Sequence, residues 1–245
     1  MKKLAFLSGL LMVVILLTAC GTALGPSEAY KNESPKQIYG AGVTALKKKN
    51  YSEAVKRFEA LDVQYPFGQE TENAQLYIIY AYYMKEDYTL SVAAADRFIR
   101  THPTNPHVDY AYYMRGIANY YQNLGAFERL FAVDLATRDL TQIKKSYESF
   151  SELVARFPES AYASAAHQYM VYLRNAIANH ELKIAQFYYD HKAYVASLNR
   201  ASALVAGYQG APAVIPALKI MANSYHQLGM NEMEEETLRV LKYNT

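Results

Sequence analysis

Few residues in this 245-residue chain could do covalent or acid–base chemistry. It has one cysteine, Cys20, and six histidines, His102, His107, His167, His180, His191 and His226. No two histidines stand in H-x-x-x-H spacing, and no carboxylate shares a helix with two of them at ligand spacing, so no metal centre is expected. A single thiol allows neither a disulfide within the chain nor a thiolate zinc site. There is no G-x-S-x-G nucleophile turn and no Gly-rich phosphate loop, and the 11 glycines are scattered. Neither a cofactor nor an enzymatic activity is expected. What the chain does have is 24 tyrosines and no tryptophan, and tyrosine offers ring area and a hydroxyl for contact at small entropic cost. The residue types point to a protein that works by binding.

Cys20 takes its meaning from what precedes it. Lys2 and Lys3 are followed by an apolar stretch over 4–19 that is short for a membrane-spanning helix, which needs about 20 residues, and that suits a signal peptide. It ends in Leu17-Thr18-Ala19-Cys20, which resembles the lipobox of bacterial lipoproteins. That resemblance implies a signal over 1–19, cleavage before Cys20, a lipid on its sulfur and an acylated new amino terminus. More than one acyl chain gives a stable anchor, and Gly21 after the cysteine implies the outer membrane, at its periplasmic face. Residues 20–34 are small, polar and punctuated by Gly and Pro, and read as a tether that spans at most roughly 50 Å. Without the signal, 23 basic residues face 23 acidic ones. A chain with no net charge is not expected to capture nucleic acid, which requires clustered Lys and Arg.

Beyond residue 34, apolar residues recur at helical spacing, as in Val55-Phe58-Leu61, and no convincing strand alternation appears. Aligning the helices on the proline that ends them exposes a repeat. Fifteen residues before Pro66 stands Tyr51, followed by Ala54, Phe58 and Leu61. The same ruler gives Tyr88, Ser91, Ala95 and Phe98 before Pro103, and Ile143, Ser146, Phe150 and Leu153 before Pro158. Before Gln209 it gives Tyr194, Ser197, Ala201 and Leu204. A large residue, a small one and two more seam residues ahead of a proline make up the second half of a tetratricopeptide repeat. First helices are expected over 37–48, 73–85, 109–124, 161–189 and 214–228. A fifth pair is weaker: Leu238 and Leu241 stand near repeat positions, but Glu234 stands where a small residue is expected. The expected fold is all-α, with five irregular tetratricopeptide-like helix pairs over 35–245 in a superhelical array and an insertion at about 122–140 in repeat three. Lys47-Lys48-Lys49 and the Glu232 to Glu236 cluster fit a helix C-terminus and N-terminus, where the helix dipole favours those charges.

Several stretches go beyond a generic repeat. Tyr65-Pro66-Phe67-Gly68, Tyr80-Ala81-Tyr82-Tyr83, Asp96-Arg97-Phe98-Ile99-Arg100, and Tyr113-Met114-Arg115-Gly116 resemble the BamD family of outer-membrane lipoproteins. So do Phe131-Ala132-Val133-Asp134 with Arg138-Asp139, Phe157-Pro158, and Asn199-Arg200. The resemblance runs in order through nearly the whole chain after the signal; Gln209 departs from it, standing where the family carries proline. It implies a non-catalytic subunit of the machinery that folds and inserts β-barrel proteins into the outer membrane. The implied partners are the periplasmic domains of a central barrel subunit, smaller assembly lipoproteins and unfolded outer-membrane proteins. It further implies that Arg200 meets an acidic residue of the central subunit. Another repeat lipoprotein, such as a pilotin escorting a secretin, is the alternative.

Positions 5, 9 and 12 of first helices line the concave side in this repeat class. They nominate Tyr39, Val43, Tyr80, Tyr83, Tyr113, Ile117 and Tyr120 as a groove for an extended, aromatic chain terminus. Asp134, Arg138 and Asp139 are expected to fix the insertion by internal ion pairs.

Overall fold

The computed structural model describes residues 25, 28–122, 124 and 139–245. The signal, Cys20, and Phe131, Ala132, Val133, Asp134 and Arg138 of the insertion lie outside the described residues. Among those described there are ten α-helices and no strand. They are α1 (Pro35–Lys47), α2 (Tyr51–Gln64), α3 (Gln69–Met84), α4 (Tyr88–Thr101), α5 (Val108–Gln122), α6 (Thr141–Arg156), α7 (Ala163–Asp190), α8 (Tyr194–Gly207), α9 (Val214–Gln227) and α10 (Asn231–Tyr243). The all-α repeat reading holds, and none of these helices is long and apolar enough to cross a membrane. The chain forms two compact units, one up to Ala74 and one from Gln75.

The turn inside a helix pair is built the same way four times. Two residues before the second helix the backbone is left-handed: Lys49 at φ 58°, Glu86 at 64°, Lys192 at 59° and Gly229 at 69°. The next amide then reaches five residues back, from Asn50 to Ala45, Asp87 to Tyr82, Ala193 to Tyr188 and Met230 to Tyr225, at 2.9–3.0 Å. This closure satisfies carbonyls that a helix end leaves without partners.

The turn between pairs is equally regular. Tyr65, His102, Phe157 and Tyr208 all leave the helix with φ between −134° and −126°. Each donates its amide to the carbonyl four residues back at 2.8–2.9 Å. Proline forces this conformation on the residue before it at 65, 102 and 157. Tyr208 adopts it without proline, and the carbonyl of Gln209 accepts from the Arg174 guanidinium at 2.8 Å. The departure at 209 therefore leaves the turn intact.

The ruler read from the prolines marks the seam. Ala54, Leu61, Ser91, Ala95, Ser146, Phe150, Leu153, Ser197, Ala201 and Leu204 are fully buried, and Phe58 and Phe98 are 1% exposed. Three of the small residues also lock their helices together. Ser91 Oγ donates to the Ile79 carbonyl at 2.9 Å, Ser146 Oγ to Gly116 at 2.8 Å, and Ser197 Oγ to Ala185 at 2.8 Å. Side-chain volume is traded across the same register. Gly42 and Gly116 stand opposite Phe58 and Phe150, and a Cβ on either glycine would come within 2.5 or 2.6 Å of the ring. Where the first helix carries Ile79 or Ala185, the second carries Ala95 or Ala201.

In the first unit, Ser34 caps α1 in a reciprocal pair with Gln37, and Pro35 opens the helix. Residues 28–34, assigned by composition to the tether, fold against α2. The Arg57 guanidinium lies 4.2 Å from the Tyr30 ring centre and bonds Glu33 at 3.0 Å and Glu53 at 2.7 Å. The Tyr65 hydroxyl donates to the Glu33 carbonyl at 3.2 Å, so composition hid a set of specific contacts.

In the second unit, α7 packs against both α6 and α8. Its early residues Ala163, Ala166, Leu173 and Ile177 join one apolar cluster, and Ala178 and Ala185 join another with Ala201 and Leu204. The fifth pair lacks the serine lock. Glu234, too large for the seam, meets His226 Nδ1 at 3.0 Å, and Leu238, expected near a repeat position, is 44% exposed.

Two outcomes follow for stability. Lys192→Gly relieves the side-chain penalty of left-handed backbone and is expected to stabilise by about 0.5–1 kcal/mol in urea unfolding. Gly116→Ala drives a methyl into Phe150 and is expected to cost about 1–3 kcal/mol. Combining it with Phe150→Ala, which copies the Ala185–Ala201 pairing, is expected to cost less than the sum of the two single changes.

Candidate functional site

Tyrosines of α3, α4, α5 and α7, with Tyr162 and Phe150, form one connected aromatic surface in the second unit. Tyr83 of α3 lies 5.6 Å, centre to centre, from both Tyr88 of α4 and Tyr121 of α5. Tyr121 touches Tyr120 edge-on at 5.2 Å, and Tyr120 meets Tyr169 and Tyr172 of α7 at 5.8 and 6.1 Å. Further along, Tyr113 stacks on Tyr162 at 4.9 Å, and Phe150 stacks on Tyr169 at 5.0 Å. Offset and edge-on contacts of this kind suit the ring quadrupole and hold each ring in place.

Tyr83, Tyr113, Tyr120, Tyr121, Tyr162 and Tyr169 are half-buried and packed against the core, while Tyr172 is 47% exposed. Burial first, and neighbouring phenols second, push the hydroxyls of Tyr83, Tyr113, Tyr120 and Tyr169 above their ordinary range. All four stay protonated at any physiological pH. The surface is therefore uncharged and offers hydroxyl donors and acceptors beside apolar ring faces, a chemistry suited to the backbone and aromatic side chains of an extended segment.

Of the nominated groove residues, Tyr80, Tyr83, Tyr113 and Tyr120 lie half-buried on this unit. Ile117 does not line a surface: it is 6% exposed and belongs to the core. It follows Gly116, the point where Phe150 enters, so the helix turns that side inwards. Tyr39 and Val43 are half-buried in the first unit, with Tyr39 6.4 Å from the Phe58 ring. Tyr88, Tyr121, Tyr162, Tyr169 and Tyr172 were not anticipated. The available signal was the spacing of Tyr169 and Tyr172 on the first helix of the fourth pair, to which the rule of positions 5, 9 and 12 was not applied.

A second feature is charged. Arg200 is 49% exposed on α8, and its Nη1 lies 3.4 Å from Glu181 Oε2 of α7. It borders an open depression of about 610 Å³ between α6, α7 and α8. Arg115 was also missed. It joins Asp96 at 3.1 Å, Glu152 at 2.7 Å and Ser149 at 3.1 Å, and its guanidinium lies 4.9 Å from the Tyr112 ring centre. With its side chain only 15% exposed, Arg115 ties α4, α5 and α6 together. Asp139 accepts from the Thr141 amide at 3.0 Å and hydroxyl at 2.7 Å, and those bonds lower its pKa; Asp134 and Arg138, with which it was expected to fix the insertion, lie outside the described residues.

The YfiO family of outer membrane lipoproteins matches residues 31–241. An outer membrane protein assembly factor BamD of Vibrio cholerae is 35% identical over 242 residues, covering 99% of both chains. Those of Pasteurella multocida and Neisseria meningitidis serogroup A are each 32% identical over 244 residues, covering all of this chain and 92% and 91% of theirs. The chain belongs to the BamD family of outer membrane lipoproteins.

Proposed function

We propose that this chain is a non-catalytic subunit of the machinery that folds and inserts β-barrel proteins into the outer membrane. The observation that carries this reading is end-to-end similarity to relatives named outer membrane protein assembly factors, at 35% identity over 99% of both chains. A lipid on Cys20 holds the protein at the periplasmic face, following a signal over 1–19. Arg200 and the C-terminal pairs dock on periplasmic domains of a central barrel subunit, and smaller assembly lipoproteins are further partners. The tyrosine surface, with Tyr80, Tyr83, Tyr113 and Tyr120, receives the extended aromatic end of an unfolded barrel. Tyr39 and Val43 of the first unit are contacts in their own right.

The support is chemical. A neutral, hydroxyl-bearing aromatic surface binds aromatic chain without charge selection, which suits a receptor for many substrates. A guanidinium that is half-exposed and weakly paired is free to take a partner's carboxylate bidentately.

Arg200→Glu is expected to weaken co-purification with a large outer-membrane barrel in mild detergent by about 30-fold or more in Kd, because it sets like charges against each other. Retention of the barrel at wild-type affinity refutes the docking role. Tyr80→Ala with Tyr113→Ala is expected to weaken binding of a barrel C-terminal peptide at least about fivefold while the helical circular dichroism is preserved. Unchanged affinity would make both residues structural.

A further inference from the structure

The depression beside Arg200 is lined by three cations, Lys144 of α6, Arg174 of α7 and Arg200 of α8, and by two carboxylates, Glu148 and Glu181. The two arginines are held very differently. Arg174 donates to the Gln209 carbonyl at 2.8 Å and lies 5.9 Å from the Tyr208 ring centre. It is a fixed wall, anchored at the turn that ends α8. Arg200 has, among the described residues, one long contact of 3.4 Å to Glu181. Of that pair the carboxylate sits deeper, 23% exposed against 49% for the guanidinium. Arg200 thus reaches back over the depression to an acid fixed in its side, leaving most of its five donors for other partners. A long, solvent-exposed pair of this kind is weak and easily exchanged.

We propose that Glu181 is an internal stand-in for a partner's carboxylate. In the free protein it holds Arg200 across the depression. On docking, an Asp or Glu side chain of a folded partner takes the guanidinium in a shorter, bidentate contact, while Arg174 and Lys144 supply the remaining positive field. Tyr208 lines the same depression and offers the incoming acid a hydroxyl donor. The stand-in keeps an otherwise unpaired cation from capturing the wrong acidic surface, which is a device for specificity. The inference rests on reading Arg200 as a docking residue, and it names what docking must displace.

The test measures affinity of the full chain, purified in mild detergent, for the soluble periplasmic domains of the central barrel subunit. Glu181→Gln keeps the shape of the side chain and takes the lining charge from +1 to +2. It is expected to tighten binding about two- to fivefold at about 50 mM salt, with the gain fading near about 500 mM. In an Arg200→Gln background the gain should vanish, and unchanged thermal unfolding of each variant would exclude a folding effect. If Arg200→Gln weakens docking while Glu181→Gln leaves it unchanged or weaker, the stand-in is overturned and the docking role survives. An equal gain in both backgrounds overturns it too, by showing only a general field. If Arg200→Gln has no effect, the docking role and the stand-in fall together.

Discussion

Each helix pair depends on how closely its two backbones approach at the seam, and one residue in the second helix sets that distance. Ser91, Ser146 and Ser197 are small enough to let the helices meet, and each hydroxyl donates to a main-chain carbonyl of the first helix. A carbonyl has two lone pairs, so it accepts this bond without giving up its helical one. A buried hydroxyl left without a partner would be costly, so the lock holds only at one separation and one rotation of the helices. The Gly42–Phe58 and Gly116–Phe150 contacts work through shape alone: the ring occupies the space where a Cβ would stand. Where the first helix keeps a side chain, the second gives up its ring, which preserves packing density from pair to pair.

A seam fixed from within leaves the outer face of each first helix available for display. That face carries the tyrosines of α3, α5 and α7, which pack ring on ring without any loop between them. Groups mounted on locked helices hold their positions better than groups on loops. Arg115 gathers Asp96, Glu152 and Ser149, so α4, α5 and α6 are also tied by charge. The fifth pair has a large charged residue where the other pairs have Ala or Ser. Glu234 bonds His226 instead of entering the seam, and the apolar Leu238 and Val240 stay 44% and 48% exposed.

The seam was legible in the sequence because a proline stops each of three helices at one distance from its buried residues. Counting back from Pro66, Pro103 and Pro158 finds the core without knowledge of any contact, and Gln209 obeys the same count because its neighbours fix the turn. The first-helix faces were less legible. A rule of fixed positions placed Ile117 on the groove, but Gly116 beside it turns that side towards Phe150. Composition made 28–34 a tether, since the contacts of Tyr30 and Glu33 are made to α2 residues more than twenty positions on. Arg115 and Glu181 were invisible for the same reason. Their partners lie on other helices, and no periodicity links a charge to a counter-charge across a fold.

The unusual length of α7 is best understood from the work its two ends do. It has 28 residues where the other helices have 13 to 16, and at 1.5 Å per residue it spans about 42 Å. Its first half joins the apolar cluster of α5 and α6 and carries Tyr169 and Tyr172, while its second half joins the cluster of α8 and carries Glu181. The aromatic surface and the charged depression are therefore mounted on one continuous rod. Tyr172 and Glu181 are nine residues apart along it, about 14 Å of helix rise. A helix without a break holds its seat on α8 and the rings at its start at one spacing. Two shorter helices joined by a turn would fill the same length and bury similar area, but they would let the two surfaces move independently. The single helix makes their spacing a fixed property of the fold.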